Sequence, residues 1–236
     1  PFYMSVSAVG FEKVLRYAEL FRQGMICTVS ISALTVFFGF FLALLLAFMR
    51  LSKAPVLKIA AATYVEIIRA TPMLVQLLIV YLVVFSGIQL PNITLFGFIK
   101  FDRFFPGVVA LALNSGAYTS EIIRAGIQSI DIGQTEAARS LGLTQFQNMR
   151  LIVLPQAIKN ILPAIGNEFV TIIKESSICY TIGVQEIMYG AKAAQTATFV
   201  IAEPLLIAAA MYFLLTFPTS KLIGYFERRM RRGDVR

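Results

Sequence analysis

The residues best suited to do chemistry in this sequence are charged side chains inside apolar stretches. Glu168 and Lys174 both lie within residues 160 to 187, a mostly apolar stretch. A charge at the centre of a membrane helix costs about 2.5 to 3.5 kcal/mol, so such a residue usually faces a bundle interior or a water-filled cavity. A carboxylate held there would bind an ammonium group. Glu168 is therefore a candidate ligand contact, and the alternative is a structural ion pair with a neighbouring helix.

Lys174 could hold the carboxylate of the same zwitterionic ligand, but helical geometry separates the two side chains. Six residues of α-helix turn through about 600°, which leaves Lys174 about 120° around the axis from Glu168. The two reach one cavity only where the helix is distorted or unwound. A structural pairing of Lys174 with Glu121, Glu175 or a partner subunit is an equally good interpretation. Asn167, next to Glu168 in the chain, is a third candidate ligand contact in this stretch.

A polar stripe is predicted on the preceding apolar stretch, because Asn114, Tyr118 and Glu121 recur at i, i+4 and i+7. Asn114 and Tyr118 lie nearer the middle of the stretch, so they are candidates to line a pathway for the ligand. The alternative is that they form interhelical hydrogen bonds, which typically contribute about 0.6 kcal/mol each and are common in membrane bundles.

Most enzyme chemistry has no candidate residues here. The sequence contains no histidine, which removes the usual catalytic triads, the usual zinc sites and the commonest proton shuttle. We therefore expect no catalytic residue and no metal site. Cys27 and Cys179 both fall in apolar segments, where a free thiol behaves as a small hydrophobic group. Neither a disulfide nor a redox role is expected.

The composition is that of a membrane protein. Hydrophobic residues make up 58% of the chain and charged residues only 14%, whereas soluble domains contain roughly 25% charged residues. A bilayer-spanning helix needs about 20 mostly apolar residues. We therefore expect an all-α integral membrane protein with five spans at about residues 25–49, 70–88, 105–127, 160–187 and 198–225.

Two local features accompany the predicted spans. Near the inner end of the second span, Glu66 and Arg69 are three residues apart and are expected to pair with each other, and Thr71-Pro72 marks a bend or restart of the helix. Residues 11 to 22 alternate apolar and charged positions at helical spacing, which favours a short amphipathic helix on the outer membrane surface. The alternative for that segment is a short soluble helix left from a truncated domain.

Lysine and arginine positions predict the orientation of the chain. A net charge of +8 would suggest nucleic acid binding in a soluble chain, but in a membrane protein these residues concentrate on the cytoplasmic side. With the N-terminus outside and the C-terminus in the cytoplasm, the outer segments carry only Lys13, Arg16, Arg22, Lys100, Arg103 and Lys192. The inner segments then carry Arg50, Lys53, Lys58, Arg69, Arg124, Arg139, Arg150, Lys159, Lys221, Arg228, Arg229, Arg231, Arg232 and Arg236. This asymmetry explains the charge without nucleic acid.

The polar segment between the third and fourth spans, residues 134 to 155, is thereby placed in the cytoplasm. Its residues 134 to 141 favour a short helix, Gly142 permits the positive φ that ends it, and Thr144 can cap the next helix. Two short helices at an angle form a compact knob. Its two alanines would allow close approach to another protein, with the charges of Glu136 and Arg139 at the rim. The alternative is an ordinary amphipathic loop on the membrane surface.

The spacing in this segment resembles a known signature. Glu136-Ala137-Ala138 is followed by three residues, Gly142, nine residues, Ile152, one residue and Leu154-Pro155. The pattern resembles the signature loop of permease subunits in ATP-binding-cassette (ABC) importers. From about residue 20 to residue 230 the chain is most similar to the branch that serves histidine, arginine, glutamine and glutamate. The stretches that carry this similarity are "IIRATPMLVQL", "LNSGAYTSEIIRAGI" and "LPAIGNEFVTIIKESSI".

The resemblance implies a type I importer permease fold, with residues 1 to 236 as one transmembrane domain in the bacterial inner membrane. It implies two ATPase subunits, a second permease copy or paralogue, and an extracytoplasmic amino-acid-binding protein or fused domain. The ATPase contacts implied for this chain are Glu136, Ala137, Ala138, Arg139 and Gly142. ATP and Mg²⁺ would be bound by the ATPase, because this chain has no G-x-x-x-x-G-K-[ST] phosphate loop and no cofactor of its own is expected.

Two other functions remain open at this stage. One is a secondary amino acid transporter driven by an ion gradient, with Glu168 and Lys174 coupling ion to substrate. The other is a structural scaffold without transport. Neither gives a reason for the cytoplasmic signature.

Overall fold

The computed structural model describes residues 7 to 231, and most of this stretch is helical. The helices are α1 (Ala8–Leu15), α2 (Ala18–Leu51), α3 (Pro55–Ala70), α4 (Met73–Ile79), α5 (Phe101–Gln128), α6 (Ile132–Ser140), α7 (Gln145–Asn148), α8 (Leu154–Glu175), α9 (Ile187–Thr198) and α10 (Ala202–Arg231). Short π-helical turns extend α4 over Val80–Val84 and α7 over Met149–Val153, and a 3-10 helix over Ser176–Ile182 follows α8. The departure from an all-α fold is one small antiparallel hairpin, β1 (Thr94–Leu95) with β2 (Ile99–Lys100).

Helices α2 and α5 form the central pair of the bundle and run in the same direction. Near their N-terminal ends, a Cβ on Gly107 would lie 3.3 Å from the Cδ1 of Ile31. Near their C-terminal ends, Arg50 of α2 forms an ion pair with Glu121 of α5. Small residues such as Gly39 line the interface, because close approach of backbones is what stabilises helix pairs in a membrane.

Helices α4 and α8 run in the opposite direction to α5. Gln76 of α4 is hydrogen-bonded to Asn114 of α5, and just after the π turn that extends α4 the ring of Phe85 lies 5.7 Å from that of Phe105. A later residue of the α4 segment thus contacts an earlier residue of α5, so the two helices are antiparallel.

The same reversal holds between α8 and α5. Gly126 of α5 packs directly on Ile161 of α8, whereas Gly107, at the other end of α5, lies beside Cys179 just beyond the end of α8.

Helix α10 is antiparallel to α8 and therefore parallel to α5. Gly166 of α8 has no room for a Cβ, because Ile223 of α10 would lie 2.9 Å from it. Nearer the start of α8, Pro163 shares a shallow pocket with Phe226 and Met230, which are later residues of α10. The segments α2, α4, α5, α8 and α10 thus alternate in direction along the chain, as successive membrane crossings would.

Length and composition identify fewer clear membrane helices than five among residues 7 to 231. Helices α2 and α10 are each long and apolar enough to cross a bilayer, and α3 with the α4 segment would make a third span if that bent pair counts as one. The pair is bent by 111° at Thr71-Pro72, as the sequence predicted. The count of five crossings stays a prediction.

Helix boundaries differ from three of the predicted spans. The first and third, residues 25–49 and 105–127, lie inside α2 and α5. The second, 70–88, contains the last residue of α3 and then helix from Met73 to Val84, and in the fifth, 198–225, α10 begins only at Ala202.

The fourth predicted span, residues 160 to 187, is not one helix. Regular α-helix ends at Glu175, and the following 3-10 turn ends at Gly183, whose φ is +80°. A new helix, α9, then begins, because the buried side chain of Glu186 accepts hydrogen bonds from the N–H groups of Met188 and Tyr189 at 2.9 and 2.8 Å. An acidic N-cap in an apolar stretch produces a helix start that hydropathy does not detect.

The predicted helix over residues 11 to 22 is also broken. Helix α1 ends at Leu15, and residues 18 to 22 belong to α2. The backbone N–H of Ser7 donates to Glu203 of α10 at 2.9 Å, and Val14 is fully buried against a cluster that includes Ala208 of α10. Val14 on α1 therefore packs on protein, whereas Val9 and Leu15 of the same helix are each 62% exposed.

Candidate coupling elbow and intramembrane polar residues

The segment between α5 and α8 folds as two short helices, as its sequence predicts. Helix α6 starts at an N-cap, Asp131, whose carboxylate accepts the N–H of Gly133 at 2.6 Å. It ends where Gly142 takes a φ of +80°, and Thr144 with Gln147 forms a capping box at the start of α7. The predicted helix, the glycine stop and the threonine cap are all confirmed. We call residues 132 to 153, comprising α6, α7 and the π turn, the coupling elbow.

One buried polar residue fixes the angle between the two elbow helices. Asn148 is buried, and its Nδ2 donates to the Oγ1 of Thr135 at 3.2 Å, which joins α7 to α6. Ala138 packs inside the same joint with 1% of its surface exposed. The expectation that both alanines face a partner is therefore wrong for Ala138, which stabilises the joint, whereas Ala137 is exposed.

The outer surface of the elbow combines exposed apolar side chains with charges. Ile132, Leu141 and Phe146 are 74%, 82% and 71% exposed, and Glu136 and Arg139 are exposed on the same short helix pair. A group of large exposed apolar side chains on an otherwise polar element marks a protein or membrane contact. These three residues were not predicted from the sequence, although isolated apolar residues at the ends of a polar segment are a usable signal.

At the elbow end of the bundle, Glu121 joins α2 to α5. Its carboxylate forms ion pairs with Arg50 of α2 and with Arg124 one turn along α5. Glu121 is thus already paired, and the proposed pairing of Lys174 with Glu121 is wrong. Lys174 is exposed and forms no ion pair within 4 Å with any residue between 7 and 231, so pairing with Glu175 is not formed either.

Glu168 lies on the face of α8 that packs on α5. Ile161 contacts Gly126, and seven residues along each antiparallel helix, about 10 Å, bring Glu168 level with Thr119. Glu168 follows Ile161 by seven residues, so the two share a helix face. The side chain of Glu168 is partly buried and has no hydrogen bond or ion pair within the described part of the chain. The structural ion pair considered for it is not present there.

Asn167 and Lys174 lie on a different face from Glu168. Both are exposed, and with Thr171 they recur at i, i+4 and i+7. Helix α8 is regular α-helix from Leu154 to Glu175, so the 120° between Glu168 and Lys174 is not removed by unwinding. The structure therefore does not bring these two charges together within one chain.

Asn114 stabilises the break between α3 and α4 through a hydrogen bond to Gln76. Its Nδ2 donates to the Oε1 of Gln76 at 2.9 Å, and both side chains are buried. The Nε2 of Gln76 in turn donates to the backbone oxygens of Ile68 and Thr71 at 2.7 and 3.0 Å. These carbonyls belong to the last turn of α3 and lose their helical partners at the break. The interhelical interpretation of Asn114 is therefore the one that the geometry supports.

Tyr118 is partly exposed one turn further along α5. The guanidinium of Arg69 lies 5.5 Å from the centre of its ring, which is a cation–π contact. No ion pair joins Glu66 to Arg69 in the described chain, so that predicted pairing is wrong. Tyr118 stays accessible and is level with Glu168.

Replacing Gln76 with leucine should destabilise the protein, because two carbonyls and the amide of Asn114 lose their partner. An unsatisfied buried polar group costs about 1 to 3 kcal/mol. Thermal unfolding of the purified protein in nanodiscs should show a lowered midpoint. In a double-mutant cycle with Asn114→Leu, the two losses should not add, with a coupling of about 0.5 to 3 kcal/mol. Additive losses would show that the two side chains do not act together.

The fold and these residues define a class of protein. A helical bundle with alternating directions, accessible polar side chains at mid-helix and an ordered polar elbow at one end is a membrane transport subunit. The chain belongs to the family of binding-protein-dependent transport system inner membrane components, whose pattern matches residues 35–232.

Individual relatives extend over nearly the whole chain. It is 41% identical over 208 residues to a putative glutamine transport system permease of Rickettsia typhi, covering 88% of this chain and 91% of the relative. It is 40% identical over 224 residues to an arginine transport system permease of Bacillus subtilis, covering 95% and 98%. A nopaline transport system permease of Agrobacterium fabrum is 41% identical over 202 residues, covering 85% and 83%.

Solved structures of ABC transporters are also similar to this chain. The crystal structure of an amino acid ABC transporter with histidines has a chain that superposes with a TM-score of 0.85 at 44% identity, covering 95% of this chain and 99% of that one. An inward-facing methionine ABC transporter superposes with a TM-score of 0.69 at 18% identity, covering 90% and 97%, which shows the shared fold alone. The chain is thus an ABC importer permease, a transport subunit of the inner membrane, and the family gives no support to a transporter driven by an ion gradient.

Proposed function

We propose that this chain forms the translocation pathway of an ATP-driven importer of polar amino acids, of the glutamine, glutamate and arginine class. The observation that carries the proposal is the coupling elbow, an ordered polar projection that exposes Leu141 and Phe146 at one end of the bundle. The amino acids named for the relatives, glutamine and arginine, support the substrate class.

The energy comes from partner subunits in this proposal. Two ATPase subunits bind ATP and Mg²⁺, and each receives the elbow of one permease, either a second copy of this chain or a paralogue. Closure of the ATPases draws the elbows together and opens the pathway outward, where a binding protein or fused binding domain delivers the amino acid. Because Asn148 and Ala138 hold the elbow as one unit, a push on α6 is transmitted to α8.

The charge distribution and the helix directions support the proposed orientation. The N-terminus lies outside and the C-terminus in the cytoplasm, so α2, α5 and α10 run inward while α4 and α8 run outward. This orientation is consistent with five membrane crossings and places the coupling elbow in the cytoplasm.

Glu168 is the proposed contact for the substrate ammonium group. Its carboxylate is partly buried and has no hydrogen bond or ion pair with the side chains described between residues 7 and 230, as a ligand site requires. Tyr118 lines the same level of the pathway, while Asn114 contributes only by holding the bend through Gln76. Asn167 and Lys174 face away from this site, toward a partner subunit or the pathway between subunits.

Reconstitution tests the proposal directly. Proteoliposomes containing this chain, its ATPase and its binding protein should take up labelled glutamine, glutamate or arginine only when ATP is enclosed on the ATPase side. Uptake should persist when an uncoupler removes ion gradients. Uptake that survives without ATP but collapses with the uncoupler would instead identify an ion-coupled carrier.

Replacing Glu136 with alanine should uncouple ATP hydrolysis from transport. Glu136 is exposed on α6 and does not take part in the joint between the elbow helices, so the fold should be unchanged. We expect the ratio of amino acid transported to ATP hydrolysed to fall about tenfold, which corresponds to losing roughly 1.4 kcal/mol of contact. Gln134→Ala, exposed on the same helix, is the matched control, and a wild-type ratio for Glu136→Ala would contradict the assignment.

A further inference from the structure

Two phenylalanines combine strained backbone with exposed side chains. Phe96 and Phe199 have φ angles of +52° and +56°, and no other non-glycine residue between 7 and 231 has a positive φ. A bulky side chain in this region of φ is an outlier that costs free energy and persists only where the surroundings enforce it. The two side chains are nevertheless 75% and 90% exposed. Packing of the rings inside this chain therefore does not explain the strain.

Phe96 occupies a turn position where folding favours another residue. The Phe98 N–H donates to the carbonyl of Leu95 at 3.2 Å, and Phe96 and Gly97 between them both have positive φ. Leu95 pairs with Ile99, so the hairpin loop has three residues, and the turn within it has positive φ at both central positions. Turns with positive φ at both central positions strongly prefer asparagine followed by glycine. The hairpin itself is anchored, because Ile99 is 2% exposed in the main hydrophobic cluster. The base is fixed and the ring of Phe96 projects from the tip.

Phe199, like Phe96, occupies a position that favours a residue type other than phenylalanine, here directly after a helix. It follows the last residue of α9 in the left-handed conformation, where glycine or asparagine is usual. The Phe199 N–H donates to the carbonyl of Gln195 at 2.9 Å, and the Gln195 Nε2 donates to the carbonyl of Ile201 at 2.6 Å. The Val200 N–H donates to the Thr198 Oγ1 at 3.3 Å. Hydrogen bonds therefore hold the backbone of this short loop before and after Phe199, while the Phe199 ring itself is almost wholly exposed.

Both rings lie at the end of the bundle opposite the coupling elbow. Phe96 is five residues before the start of α5, and Phe199 is three residues before the start of α10. Helices α5 and α10 are both antiparallel to α8, so their first residues are at the same end. The elbow follows the last residue of α5 and is at the other end.

We propose that Phe96 and Phe199 are the anchors on which the extracytoplasmic amino-acid-binding protein docks. The assignment rests on the proposed function, which puts this end of the bundle outside the cell. Exposed aromatic side chains held in one direction are what dominate the binding energy of protein interfaces. The family is described as binding-protein-dependent, and the proposed orientation puts the binding protein at this end.

Contact with lipid explains the strained backbone and exposed rings of the two phenylalanines less well than contact with a protein does. A fluid membrane accepts an aromatic ring in many directions, so it gives no reason to hold the backbone in a strained conformation. The aromatic belts of membrane proteins are also built mainly from tryptophan and tyrosine, whose polar groups reach water. A folded partner presents fixed pockets, for which a fixed direction matters.

The test uses Phe96→Asn and Phe199→Asn. Each substitution removes the ring and puts a residue suited to positive φ in its place, so the thermal unfolding midpoint should stay the same or rise. The permease with its ATPase is placed in nanodiscs of phosphatidylethanolamine and phosphatidylglycerol. ATP hydrolysis is then titrated with the binding protein of the same system, loaded with glutamine or with arginine.

We expect each variant to raise the binding-protein concentration for half-maximal stimulation about tenfold, as loss of an interface hot spot does. Hydrolysis without binding protein should not change. Val9→Asn is the matched control, because Val9 is 62% exposed on α1, which packs on the same end of α10, and has ordinary helical backbone. A wild-type titration curve for both phenylalanine variants would overturn the proposal.

A labelling experiment separates the possible occupants. Cys27 and Cys179 are buried, so a dye placed on Phe199→Cys reports on that position alone. Binding protein should shift the emission of the dye and shield it from a soluble quencher. Quenching by spin-labelled lipid that binding protein does not relieve would assign the ring to the membrane, and a disulfide between two copies of Phe199→Cys that excludes binding protein would assign it to the second permease. Either result overturns the docking role.

Failure of the two proposals can be distinguished. If ATP hydrolysis by the wild-type complex responds to no amino-acid-binding protein, the proposed function and the docking site both fall. If the wild type is stimulated and the asparagine variants respond equally, only the docking site falls.

Discussion

Replacing Leu141 with aspartate should separate the permease from its ATPase. Leu141 is the most exposed apolar side chain of the coupling elbow, at 82%, and it lies beside Gly142 at the turn between α6 and α7. Docking would bury it, and an aspartate there would bring an unpaired charge into the interface. We expect affinity to fall by about 2 to 4 kcal/mol, roughly 30- to 700-fold.

The measurement is co-purification of the ATPase with the tagged permease, followed by titration of the ATPase onto permease in nanodiscs. Val56→Asp is the control, because Val56 is 75% exposed in the first turn of α3, where an acidic residue suits the helix dipole. The control should retain the ATPase. The elbow assignment fails if Leu141→Asp binds the ATPase as the wild type does, or if Val56→Asp loses it equally.

Replacing Glu168 with glutamine should nearly abolish uptake while leaving ATPase assembly intact. Glutamine has the same shape but no charge, so the bond to a substrate ammonium group loses its charge-assisted part. A hydrogen bond to a charged group is worth about 1.5 to 3 kcal/mol, which predicts a fall in uptake efficiency of roughly 10- to 150-fold. Uptake of labelled substrate into proteoliposomes measures it.

The control for this variant is Glu66→Gln. Glu66 is exposed on α3, and no ion pair of the described residues includes it, so neutralising it should leave uptake unchanged. A structural role for Glu168 would instead lower the unfolding temperature and the yield of assembled complex. Unchanged uptake kinetics in Glu168→Gln would remove this residue from the substrate site.

Features set by neighbouring residues were predictable from the sequence. Gly142 and Thr144 act within one or two turns of their own position, so the elbow helices and their boundary were foreseen. The bend at Thr71-Pro72 was foreseen for the same reason, because proline restricts the residue before it. Hydropathy also located α2 and α5, since a long apolar stretch has few alternatives to a membrane helix.

Features set by the environment were missed. Glu186 starts a new helix because it is buried beside the N–H groups of α9, although its sequence context looks like the continuation of a span. Ala138 is buried because α7 and the π turn after it pack on α6. The positive φ of Phe199 could not be predicted from the sequence, because phenylalanine rarely adopts positive φ.

The sequence by itself determined that this protein is a helical membrane permease with an elbow of two short helices, because periodicity, capping and hydropathy depend on residues close together in the chain. The tertiary structure decided which polar residues remain accessible. Asn114 is bonded to Gln76 and Glu121 to Arg50, and both pairings join residues far apart in sequence. Their partners come within reach only when the helices pack, so the sequence could not show which polar side chains would be paired inside the bundle.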